Sequence, residues 1–93
     1  MRAGVRTKSG PVTVIRLATD LDHPRVGIVA GRRLGNAVTR NRVKRRIRAA
    51  AAEANLDPAS DYVIVPTAAA ATVPFGDLVA AIVAAARPNG RQT

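Results

Sequence analysis

Gly31-Arg32-Arg33-Leu34-Gly35-Asn36-Ala37-Val38-Thr39-Arg40-Asn41-Arg42-Val43-Lys44-Arg45-Arg46-Ile47-Arg48 holds eight positive charges and no carboxylate. Inside the charge run, Val43 and Ile47 recur at helical spacing, which a solvated tail has no reason to keep. The segment therefore reads as a folded helix with one face in a core and the rest presented to a polyanion. On a wheel of 100° per residue, Val43, Ile47, Ala50, Ala51 and Ala54 share one stripe. Arg40, Asn41, Lys44, Arg45 and Arg48 occupy an adjoining arc, and Arg42 and Arg46 fall on the far side. Arg40, Lys44 and Arg48 place like charges at i, i+4 and i+8, where opposite signs would stabilise an isolated helix. A sequence that tolerates this repulsion has a partner that neutralises it. The amide of Asn41 can meet a base edge or a 2′-hydroxyl as well as a phosphate.

Outward from this helix the chain reads as small elements. Val12 to Thr19 is β-branched and roughly alternating, hence a strand, and Arg25 to Ala30 is a second. Asp20-Leu21-Asp22-His23-Pro24 is a turn, so the two are expected to form an antiparallel hairpin. Asn36 or Thr39 caps the basic helix, which runs from about Ala37 to Asn55, with Pro58 beyond. Tyr62 to Pro66 is a nearly continuous apolar run and reads as a buried strand. A last helix extends from about Val73 to Arg87, with Phe75, Leu78, Val79, Ile82 and Val83 as its buried side. The fold class is thus α+β, a small sheet with helices packed on it, in the order β-β-α-β-α. Residues 1–10 are expected to be a flexible basic N-terminus. Residues 11–87 form a single RNA-binding domain, and 88–93 a frayed tail.

Composition narrows the partner. Fifteen Lys and Arg against six acids leave a net charge of +9 on 93 residues, a field that favours phosphate over neutral ligands. One Phe, one Tyr and no Trp argue against an aromatic platform for splayed bases. The absence of cysteine removes disulfides, thiolate chemistry and Cys-based zinc sites, and fits the cytoplasm. No apolar run approaches the roughly 20 residues that span a bilayer, so no membrane partner is expected. No leucine heptads follow Arg48, which excludes a basic-zipper DNA binder. His23 stands alone in a turn, and the carboxylates Glu53, Asp57 and Asp61 are scattered, so no catalytic set and no metal site are expected in the protein. Arg32 and Arg33 extend the basic patch from the loop before the helix.

From Arg25 to Arg48 the chain resembles the protein subunit of bacterial ribonuclease P. That family carries a strand, a loop with two basic residues, a Gly, and a helix reading Ala-Val-x-Arg-Asn-Arg-x-Lys-Arg-x-x-Arg. Ala37-Val38-Thr39-Arg40-Asn41-Arg42-Val43-Lys44-Arg45-Arg46-Ile47-Arg48 matches it. The resemblance continues more weakly through Asp61 to Val65 and Phe75 to Val83. It implies a protein component of a holoenzyme whose catalytic RNA, with RNA-bound Mg2+, removes the 5′ leader from precursor tRNA. Its partners would be that RNA and precursor tRNA. The implied RNA-binding residues are Arg40, Asn41, Arg42, Lys44, Arg45 and Arg48, with Arg32, Arg33 and Arg46 extending the surface. A leader cleft in the sheet would be lined by Val14, Arg16 and Tyr62. The family's strand–helix–strand crossover is left-handed, against the common preference, and the same is expected here. Three features depart from the family pattern. Met1 to Gly10 is too short and Gly-rich for the helix that usually precedes the first strand, Gly31 stands where Ser is frequent, and Thr67 replaces a basic residue. The rival reading is a structural RNA-binding protein of ribosomal type, with no role in cleavage.

Overall fold

The computed structural model describes residues 4–20 and 22–86. The frayed tail expected at 88–93 lies outside them. A four-stranded sheet comprises β1 (Val5–Ser9), β2 (Val12–Ala18), β3 (Arg25–Ile28) and β4 (Ser60–Pro66), and two helices, α1 (Ala37–Ala54) and α2 (Phe75–Ala85), complete the fold. The α+β class and its helices stand as read from the sequence, with one more strand at the start.

That strand corrects the expectation of a loose N-terminus. Val5 to Ser9 pairs antiparallel with β2, from Val5 opposite Arg16 to Ser9 opposite Val12. Only Gly10 and Pro11 connect the paired ends. Gly10 takes φ +54°, a conformation glycine adopts without steric cost, and Pro11 is confined to negative φ, so this pair suits a two-residue hairpin connection.

The expected hairpin between β2 and β3 does not form. The sheet order is β1-β2-β4-β3, so β4 lies between them. It pairs antiparallel with β2 and parallel with β3. β4 buries Ser60, Tyr62, Ile64 and Pro66 on one face and half-buries the residues between, so it takes a central position. β3 is short, carries Gly27 and is half-exposed, as suits an edge. Neighbouring strands are about 4.8 Å apart, so stepping over one strand takes roughly 10 Å, which the six residues from Thr19 to Pro24 span easily.

Side-chain alternation gives the sheet two unlike faces. Val12, Val14, Tyr62 and Ile64 point toward the helices and are 0–1% exposed. There they join Val43, Ile47 and Ala50 of α1 and Leu78, Ile82 and Ala85 of α2 in one core. Arg25–Ile28 leads through α1 to β4, its parallel neighbour. Asn36 is the N-cap of α1, its side-chain oxygen accepting from the Thr39 N–H at 3.0 Å. Asn55 ends the helix in the left-handed conformation, φ 56°. The buried Tyr62 hydroxyl accepts from the Asp57 N–H at 3.1 Å and pins the chain between α1 and β4. On α2 the buried residues are Leu78, Ala81, Ile82 and Ala85, whereas Phe75 and Val83, expected on the buried side, are exposed. Ala81 and Ala85 bring α2 close to the sheet and turn its buried centre away from those two residues.

Candidate nucleic-acid interface

Helix α1 rests on the sheet through Val43, Ile47, Ala50 and Ala51. That anchoring decides which way every cation points. Asn41, Arg45 and Arg48 are exposed, and Arg40 and Lys44 are half-buried along the same arc. Long side chains at such margins lay their stems on apolar surface and keep the charge in water. Arg40 is steadied by donation from Nη1 to the Gly35 carbonyl at 3.1 Å. Gly35 itself takes φ 115°, a conformation disfavoured for L side chains. It closes the 3-10 turn Arg32–Leu34, which buries Leu34 and leaves Arg32 and Arg33 exposed. The loop cations and the helical arc thus follow one another without an intervening acid.

Arg42 and Arg46 lie on the opposite flank, and their fates differ. Arg42 is exposed. Arg46 is half-buried and turned inward, donating from Nη1 to the Ala70 carbonyl at 2.7 Å and from Nη2 to the Val73 carbonyl. Sequence reasoning grouped it with the RNA-binding cations, yet its guanidinium ties α1 to the Ala-rich connection before α2. The signal was present, because Arg46 sits beside Ala50 on the wheel, at the margin of the apolar stripe.

The residues expected to line a leader cleft need a correction. Val14 is 0% and Tyr62 1% exposed, both beneath the helices. Arg16 shares their side of the sheet in register with Tyr62, and its Nη1 donates to the Ser60 hydroxyl at 2.9 Å. The open face consists of the alternate residues. Ile15, Val63 and Val65 are half-buried along its middle, with Arg6 and Lys8 exposed on β1. At its other margin Arg25 of β3 pairs with Asp61 of β4, Nε to Oδ1 at 3.0 Å and Nη2 to Oδ2. The Arg25 hydrogen bond holds the Asp61 carboxyl below the usual carboxylate range.

Beyond Arg48 the basic arc runs into a groove of about 360 Å³ between the start of β3 and the end of α1. The Nδ1 of His23 lies 3.1 Å from Oδ1 of its exposed neighbour Asp22. No group of three His, Cys, Asp or Glu side chains gathers among the described residues, and no described helix is long and apolar enough to cross a membrane.

Residues 1–88 match the family model for ribonuclease P. The chain belongs to this family, as a bacterial ribonuclease P protein subunit. A ribonuclease P protein component of Micrococcus luteus is 48% identical over 62 residues, covering 56% of this chain and 43% of its own length. One from Brucella melitensis biotype 1 is 43% identical over 60 residues, covering 61% of this chain and 43% of its own. The chain therefore aligns to less than half the length of these curated relatives. Among solved structures, the Staphylococcus aureus RNase P protein superposes with a TM-score of 0.69 at 26% identity, over 85% of this chain and 74% of that one. The Thermotoga maritima RNase P protein gives 0.75 at 24% identity, over 86% and 78%, a likeness of fold.

Proposed function

We propose that this protein subunit binds the catalytic RNA of ribonuclease P through α1 and the loop before it, and so assists removal of the 5′ leader from precursor tRNA in the cytoplasm. The single observation that carries the reading is the one-signed arc of Arg40, Asn41, Lys44, Arg45 and Arg48, held outward by burial of Val43 and Ile47. Glu53, the only acid in α1, sits on the opposite flank. Arg32, Arg33 and Arg42 extend the surface, while Arg46 supports the helix from behind.

The mechanism is electrostatic. Each cation placed against a phosphate releases condensed counterions and screens repulsion between two RNA molecules. The donors of this chain form no metal cage among the described residues, and we assign the magnesium of the reaction to the RNA. The open sheet face, with its apolar middle and the cations Arg6 and Lys8 at its edge, is the surface we assign to the single-stranded leader. Unstacked bases can lie on Ile15, Val63 and Val65 while Arg6 and Lys8 meet the backbone.

The test is precursor-tRNA cleavage by bacterial ribonuclease P RNA at low magnesium, with and without the chain. Stimulation that Arg45→Ala/Arg48→Ala loses supports the reading. Tight RNA binding with no stimulation under any condition would leave a structural RNA binder in its place.

A further inference from the structure

The groove at the C-terminal end of α1 is apolar where the rest of that flank is charged. Pro24 and Val26 form one wall, and Ala51, Ala52 and Leu56 the other. Its two polar groups stand at its rim. Arg48 belongs both to the groove and to the basic arc, and Asn55 closes α1 in the left-handed conformation. Among the described residues neither side chain has a hydrogen-bond partner. A volume of about 360 Å³ falls at the small end of ligand sites, which suits one nucleotide and is too little for a folded peptide.

We infer that this groove receives an unpaired nucleobase of the RNA that lies along the basic face of α1. The inference rests on the binding reading above and adds a base-specific contact to it. Three features converge on a base as the occupant. The apolar walls accept a flat heterocycle with little desolvation cost. The guanidinium of Arg48 can stack on that ring or hold its phosphate, and the Asn55 amide offers a donor and an acceptor to its edge. Finally, the groove continues a surface built for phosphate, so an RNA strand laid on Arg40, Lys44 and Arg48 leads its next nucleotide into it. A neutral small molecule would share the walls but not this continuity.

Two substitutions probe the groove without touching the charge or the core. Ala52→Leu fills it from an exposed helical position, and Asn55→Gly removes the amide while easing the left-handed backbone. Thermal unfolding first establishes that both variants fold as the wild type does. The catalytic RNA is then bound to each full chain, and reagents that modify the Watson–Crick edges of unpaired bases map the contacts. The wild type is expected to protect a base that both variants leave reactive. Both variants should bind about tenfold more weakly, because one base no longer docks. Their log–log salt slope should match the wild type, because no cation has been removed. Wild-type affinity and footprint in both variants would overturn the inference and leave the basic-face reading intact. Failure of the wild-type chain to bind the RNA would instead overturn that reading, and this inference with it.

Discussion

Replacing Arg46 by Ala separates a structural cation from an RNA-binding one. Its guanidinium donates to two carbonyls, Ala70 and Val73, that belong to the connection between β4 and α2. Hydrogen bonds from a charged donor contribute about 1.5–3 kcal/mol each when buried. Arg46 is half-buried, so water recovers part of that, and we place the loss at about 2 kcal/mol for the pair. For a domain of this size each kcal/mol lowers Tm by roughly 4–8 °C, which gives a fall of about 8–16 °C. Arg45, exposed on the same helix, provides the control: Arg45→Ala should stay within about 0.5 kcal/mol of wild type. Arg46→Lys should fall between the two, because an ammonium keeps the charge but cannot span both carbonyls as the fork does. The assay is thermal and urea unfolding followed by circular dichroism without RNA. Equal melting of the Arg46→Ala and Arg45→Ala chains, with equal losses of RNA affinity, would refute the structural role and return Arg46 to the RNA face.

Asn36→Ala removes the cap of α1 and should cost about 1 kcal/mol, read as an earlier urea midpoint with an unchanged slope. Tyr62→Phe leaves the Asp57 N–H without its acceptor while preserving the ring in the core, and should cost about 1 kcal/mol in the same measurement. Asp61 should titrate below the ordinary carboxylate range by NMR and return toward it in Arg25→Ala. Its folded pKa is depressed, so its contribution to stability is present above the unfolded pKa and fades as pH falls through the folded one.

Some of this molecule could be read directly from residue order. Helix α1 was legible end to end because Val43, Ile47 and Ala50 mark its buried stripe, Asn36 caps it and Asn55 stops it. The basic arc followed from the same periodicity, since burying Val43 and Ile47 leaves Arg40, Lys44 and Arg48 no other direction. Strand β1 was hidden because Val5-Arg6-Thr7-Lys8-Ser9 has a single large apolar residue. It is a strand because Gly10-Pro11 folds it back onto β2, and that Gly-Pro pair was the available signal. The neighbours of β2 were not legible at all. Strand adjacency depends on which strand best fills the centre, and the apolar run of β4, distant in sequence, displaces the nearer β3. The leader-cleft residues failed by parity. Val14 and Tyr62 occupy the alternate positions that face the helices, and moving one residue along each strand reaches Ile15 and Val63 on the open face.

The central claim is that the arc on α1 is where RNA binds. Its most direct test is the salt dependence of affinity for bacterial ribonuclease P RNA, measured for wild type and for Arg40→Ala/Lys44→Ala/Arg48→Ala. If all three cations meet duplex phosphates, the log–log slope should become shallower by about 0.9 for each phosphate left unneutralised, or about 2.7 in total, and by less where the strand is single. A variant that binds with the wild-type slope and affinity would contradict the account.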